Sequence, residues 1–330
     1  MHGNIQKGVR FGAALALALV LCATAALAAE TGGKRLVPVG HTVGVKLFSR
    51  GVVVVKLPEG STPARTCGLK TGDVIEACGG RTVTSTEQFQ SLLQENGTDT
   101  TELSVKRQGS PVTLSVEPER NEEGACCIGA WVRDSMAGIG TVTYYDPDTN
   151  AFGALGHGIT DGDTAALMPF GNGAILPSTV KAVKKGSCGS AGELRGEFDL
   201  TEELGQLYAN TGCGIFGTLN AACSLAEGEA LPVGDASEGP AVIRSNISGD
   251  EVQEYAVEIL KTIPDAPDGR ELVISVTDPE LIAATGGIVQ GMSGSPILQN
   301  GQLVGAVTHV LLSDPTKGYG ISVETMLNTG

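Results

Sequence analysis

A serine held between two glycine turns is the residue in this sequence best placed for covalent chemistry. Ser293 sits in Gly291-Met292-Ser293-Gly294-Ser295-Pro296. Gly291 and Gly294 let the backbone turn sharply and let a substrate carbonyl come close. Such a turn can aim the N–H groups of Gly291 and Ser293 at one point, as an oxyanion hole requires. A serine hydroxyl is a poor nucleophile without an adjacent base. Imidazole suits that role because it titrates near neutrality. The chain has four histidines. His2 lies in the apolar leader and His41 precedes the first structured unit. His309 lies in the apolar run Val304–Leu312 and reads as a core or structural histidine. His157, between Gly156 and Gly158 at a predicted strand end, is the expected base.

The carboxylate that would hold the imidazole is less determined. Asp161 and Asp163 are close to His157 in sequence, and Asp278 ends a predicted strand shortly before Ser293. Asp278-Pro279-Glu280-Leu281 also has the form of a helix N-cap with proline at the first helical position. On the residues alone, Asp278 stands open between capping and catalysis.

The elements that must position these groups read as β. Pro296-Ile297-Leu298, Asn300-Gly301 and Leu303–Val307 form strand, two-residue turn and strand. Gly140–Tyr145 and Ala151–Gly156 flank the turn Asp146–Asn150, so His157 follows directly on a hairpin. Further short strands are predicted over 174–198, 212–220, 241–246, 252–262, 271–277 and 319–323, with a short helix over 281–285. Many short strands over about 200 residues predict a barrel-type β domain. Glycine is abundant, at 47 residues, and aromatics are 4%, which favours β structure with tight turns.

Net charge is −15, with acids spread along the chain and no basic patch, so nucleic acid is not an expected partner. Lys7 and Arg10 precede an uncharged run from Phe11 to Ala29. That is a secretory signal, or an uncleaved anchor whose residues 11–29 would contact the membrane. Residues 30–40 read as a linker. Of eight cysteines, Cys22 falls in the leader. The other seven, with Cys126 and Cys127 adjacent, suit buried small side chains with at most one bridge. There is no Cys-x-x-Cys pair, and no metal or cofactor is expected.

Gly44-Val45-Lys46-Leu47, Gly51–Val55 and Ala64-Arg65-Thr66-Cys67-Gly68-Leu69-Lys70-Thr71-Gly72-Asp73-Val74-Ile75, then a helix over 86–94 and two strands, resemble a bacterial PDZ domain over residues 41–118. In such domains a peptide adds as a strand at a sheet edge and backbone N–H groups capture its carboxylate. The resemblance implies Gly44, Val45, Lys46 and Leu47 as that loop. The Ser293 turn is similar to the nucleophile turn of chymotrypsin-like serine peptidases, with Met292 and Ser295 replacing an aspartate and a glycine. Taken together with Leu155-Gly156-His157-Gly158-Ile159, Val276-Thr277-Asp278-Pro279 and the run Asp314–Ile321, residues 119–330 resemble the stage IV sporulation protein B serine peptidase family. That resemblance implies a mainly β chain with a small α+β PDZ domain and a chymotrypsin-like double barrel. It also implies His157 as base, Ser293 as nucleophile and Asp278 as acid. It further implies a signalling protease exported to the space between forespore and mother-cell membranes. There it would cut itself and a membrane-bound regulatory protein, triggering activation of a late mother-cell sigma factor. The rivals are a PDZ scaffold with an inactive peptidase domain and an envelope quality-control protease. The latter usually carries its PDZ unit after the protease, and here it comes first.

Overall fold

Valine- and threonine-rich runs separated by glycine turns pair into two closed rings, and the PDZ unit grows from a side of the first. The structure, a computed structural model, describes residues 33–220 and 223–330. The expected signal segment, residues 1–29, lies outside the described residues. Among the described residues no helix is long and apolar enough to cross a membrane.

The first ring uses β1 (Thr42–Lys56), β5 (Trp131–Tyr145), β6 (Ala151–Ala154), β7 (Asn172–Lys184), β9 (Gly205–Thr211) and β10 (Gly214–Leu219). Pairing runs β1–β5–β6–β10–β9–β7 and returns to β1, all antiparallel. Val43, Val45, Val142, Phe152, Ile175 and Ile215 fill its interior. Strand β8 (Glu193–Phe198) pairs with the second half of β7. The second ring is a closed barrel of β11 (Gly239–Ser245), β12 (Gln253–Thr262), β13 (Leu272–Val276), β16 (Lys317–Ser322), β15 (Gln302–Val310) and β14 (Pro296–Gln299), in that order. Alternating burial along β12 packs Tyr255, Val257 and Ile259 inward and leaves the residues between them exposed. Two rings of six strands therefore stand where the sequence predicts a double barrel.

Within the PDZ unit, β2 (Val74–Cys78), β3 (Thr101–Arg107) and β4 (Ser110–Val116) extend the sheet outward from β1. Helix α1 (Pro63–Thr66) is capped by Thr62, and α2 (Thr86–Asn96) by the Ser85 hydroxyl, which accepts from the Gln88 N–H at 3.1 Å. Phe89, Leu92 and Leu93 form the apolar stripe of α2 and pack on Ile75, Leu103 and Val105.

Two long strands tie the PDZ unit to the barrel. The first half of β1 is a stave of the first ring, and its second half belongs to the PDZ sheet. Strand β5 does the same: Trp131–Arg133 pair with Val53–Lys56, and residues 135–141 continue along the ring. In the sequence, Arg133, Asp134 and Ser135 stand between the apolar runs Ile128–Val132 and Gly140–Tyr145. The backbone runs straight through them, since cross-strand pairing with β1 supplies what the side chains do not. The C-terminal helix α4 (Val323–Thr329), capped by Ser322, also escapes the sequence reading; Met326 anchors it. None of the cysteines among the described residues is bridged.

Candidate active site

Ser293 and His157 come from different barrels and meet in one cleft of about 390 Å³. The serine turn belongs to the second barrel and leads into β14. Gly294 takes φ of +97°, and a Cβ there would lie 2.0 Å from the Thr141 carbonyl of β5. Only glycine allows this approach, so the residue is a point of close backbone contact between the barrels. The Thr141 N–H donates to the Ser293 carbonyl at 2.9 Å, and the Thr141 hydroxyl donates to the Gly291 carbonyl at 2.8 Å. The Gln290 carbonyl accepts from the Leu194 N–H at 2.8 Å. These bonds turn the carbonyls of the loop away from the cleft. The N–H groups of Gly291 and Ser293 carry no backbone acceptor among the described residues. Met292, fully buried in the second barrel's core, anchors the turn from below.

His157 follows β6 through Leu155 and Gly156, whose φ values are +69° and +68°. The left-handed pair reverses the chain and delivers the imidazole to the cleft. Its Nδ1 lies 2.9 Å from the Gly158 carbonyl. A carbonyl only accepts, so Nδ1 carries the proton and Nε2 keeps its lone pair. Burial holds the His157 pKa below that of free imidazole, against the opposing effect of the Gly158 bond. The ring is therefore neutral and basic at Nε2 near pH 7. The Ser293 hydroxyl donates to the Thr308 carbonyl at 2.7 Å.

His309 is the residue whose place the sequence misjudges. It lies at the end of β15, lines the same cleft and faces His157 with ring centroids 5.1 Å apart. Its Nδ1 is buried without a partner. Burial, the neighbouring His157 and Arg270 lower its pKa to about 4, against the pull of Asp268. The apolar run around His309 hides this, because the pairing of β15 with β16 shifts register between Val307 and His309, and only that pairing sets which side chains reach the cleft.

Three carboxylates were open as the imidazole's partner, and the structure engages all of them elsewhere. Asp278, the acid implied by resemblance, caps α3 (Pro279–Thr285). One carboxylate oxygen accepts from Glu280 and Leu281 N–H groups at 2.9 and 3.0 Å, the other from the Ala256 N–H at 3.3 Å. It does not line the cleft. The physical reason is local: Asp-Pro-Glu begins a helix, and the free N–H groups of its first turn claim the oxygens. Asp161 is buried and paired with Arg133, which also binds Asp163 at 2.9 Å. Burial works against ionisation of Asp161, but bonds from Thr164 and Asp163 and the Arg133 charge outweigh it and lower its pKa. The imidazole is oriented by the Gly158 backbone instead.

The PDZ loop is also corrected. Gly44–Leu47 lie inside β1, paired with Ile139–Met136 of β5 on one side and Leu176–Gly173 of β7 on the other. Both edges are taken, so no peptide carboxylate can be captured there. Glycine followed by alternating apolar residues reads equally as a loop or a buried strand, and only the partners decide. The beginning of β5 packs beside α2. The Thr86 N–H at the start of α2 donates to the Asp134 carboxylate at 2.8 Å.

Two barrels with a serine, a neutral histidine and an open pair of N–H groups at their seam, joined to a PDZ unit, define a PDZ-bearing serine peptidase. The SpoIVB peptidase S55 family model matches residues 124–327, and a PDZ domain model matches residues 37–117. The chain belongs to the SpoIVB peptidase S55 family. Curated relatives include the serine protease HTRA1 of Xenopus tropicalis, 35% identical over 74 residues, and that of Xenopus laevis, 34% identical over the same length. The chain matches 15% of the length of those relatives, and the match covers 22% of this chain. Among solved structures, the PDZ domain of an SdrC-like protein from Listeria monocytogenes is similar at 21% identity and TM-score 0.23, covering 25% of this chain and 87% of that one. The active form of the Rv3671c protease from M. tuberculosis is similar at 15% identity and TM-score 0.31, covering 59% of this chain and 73% of that one.

Proposed function

We propose that the protein is an exported serine endopeptidase acting through an acyl-enzyme, in which Ser293 and His157 work as a pair without a carboxylate. The carrying observation is the neutral His157, with Nε2 unprotonated, in one cleft with Ser293 and the unengaged N–H groups of Gly291 and Ser293. Rotation of the Ser293 side chain away from the Thr308 carbonyl brings its hydroxyl to His157. Nε2 takes the proton as Oγ bonds to the scissile carbonyl carbon, and the two N–H groups hold the oxyanion. His157 then protonates the departing amine as the C–N bond breaks. Water repeats the sequence on the ester and returns the proton to Ser293. Labelling by a fluorophosphonate tests this: the wild type should label and Ser293→Ala should not. Failure of the wild type to label would refute the peptidase reading.

Family membership supports a signalling role in endospore formation. In that reading the chain is secreted between the forespore and mother-cell membranes, cuts itself and a membrane-bound regulatory protein, and so triggers activation of a late mother-cell sigma factor. N-terminal sequencing of the secreted species from wild type and Ser293→Ala tests self-cleavage, which should appear only in the first. A peptide partner of the PDZ unit would add along Trp131–Asp134 beside α2, where β5 offers the edge that β1 does not.

A further inference from the structure

Hydrolytic groups alone do not choose a substrate; the wall beside the scissile carbonyl does. The Gly291 and Ser293 N–H groups fix where the carbonyl oxygen must sit. The side chain of the residue that carries this carbonyl, P1, branches from the adjacent carbon. On the second barrel's side, segment 288–290 and the end of β15 at Thr308–Val310 line the cleft that holds Ser293. Among the described residues, no acid, lysine or arginine lines this cleft. Ile288 and Val289 are buried beneath it, and half-buried Val310 stands at its wall. Gln290 is uncharged, and both histidines are held neutral by burial. Gly318, on β16, leaves room for Ile288: a Cβ there would lie 2.6 Å from the isoleucine Cδ1. A charged P1 side chain would lose its water and find no counter-charge. An aliphatic one would exchange water for methyl groups.

We propose that the protein cuts after an uncharged aliphatic residue (Val, Leu, Ile or Met) and excludes Lys, Arg, Asp and Glu from P1. The inference rests on the serine-peptidase reading above, and the test separates the two. Full-length protein, first shown to label with fluorophosphonate, is given an unfolded protein of mixed sequence, and the new termini are read by mass spectrometry. Matched peptides differing only at P1 then give kcat/KM. Aliphatic P1 should exceed each charged residue by at least tenfold, in line with the discrimination a shaped pocket provides. A smaller margin for any charged residue, or labelling protein that makes no cut after an aliphatic residue, overturns the inference and leaves the peptidase reading intact. Failure to label refutes the peptidase reading instead. In Val310→Asp the Lys-to-Leu ratio should rise at least tenfold. An unchanged ratio in a variant that still labels removes Val310 from the P1 wall and overturns the assignment.

Discussion

The Ser293 hydroxyl donates to the Thr308 carbonyl at 2.7 Å, while His157 lines the same cleft from the other barrel with its Nδ1 on the Gly158 carbonyl. The hydroxyl is thus engaged by its own barrel, and the proposed mechanism requires a side-chain rotation to free it for His157. Ser293→Ala should lower activity by about 10³-fold or more. Because it removes one hydrogen bond, stability should change by only about 1 kcal/mol. Denaturant melts alongside cleavage assays separate the two effects, and a large loss of stability would show that the turn itself depends on the hydroxyl.

Asp278 caps α3 and does not line the cleft that holds His157. Asp278→Asn keeps an oxygen for the cap and should retain activity within a few-fold. Asp278→Ala should cost about 1 kcal/mol in stability, as loss of a cap does. Activity lost in the asparagine variant at unchanged stability would restore Asp278 to the catalytic machinery.

The lowered pKa of His157 sets the acid side of the pH profile. Its imidazole stays neutral to lower pH than a free one, so the acid limb of kcat/KM should have its midpoint below 6.5. Stability follows the same sign. Below pH 6.5 the unfolded chain takes up protons that the folded His157 and His309 refuse, so stability falls as pH drops towards about 4, the folded pKa of His309. Above 6.5 this contribution is complete. Arg270 and Asp268 act on His309 with opposite signs. His309→Phe should flatten the stability slope in the acid window, and an unchanged slope would mean that other groups cause it.

Removing the PDZ unit removes a stave of the barrel. A chain starting at residue 119 lacks all of β1, so β5 and β7 each lose a partner along one edge. Such a chain should not unfold cooperatively or label with fluorophosphonate. A cooperative melt with intact labelling would show that the ring closes without β1.

Trp131, the chain's one tryptophan, is 65% exposed at the start of β5. A peptide added along Trp131–Asp134 would cover it. Its fluorescence should shift to the blue and gain intensity on binding, and the response should vanish in Trp131→Phe. Binding by calorimetry with no spectral change would place the peptide elsewhere.

Local chemistry made much of this legible from the residues alone. A cap at Ser85 or Thr86 and the stripe Phe89, Leu92 and Leu93 announce α2, and the glycines around Ser293 and His157 announce turns. Asp-Pro-Glu at 278–280 already carried the cap, since that preference is settled within one helical turn. What the sequence determined, then, were the glycine turns that hold Ser293 and His157. Tertiary structure decided everything that depends on a partner strand. It placed Gly44–Leu47 between β5 and β7 and ran β5 through three polar residues. It also brought His309 to within 5.1 Å of His157. A strand's side chains alternate by two whatever its neighbours are, but which face meets the cleft, and which edge stays free, is fixed only when the rings close.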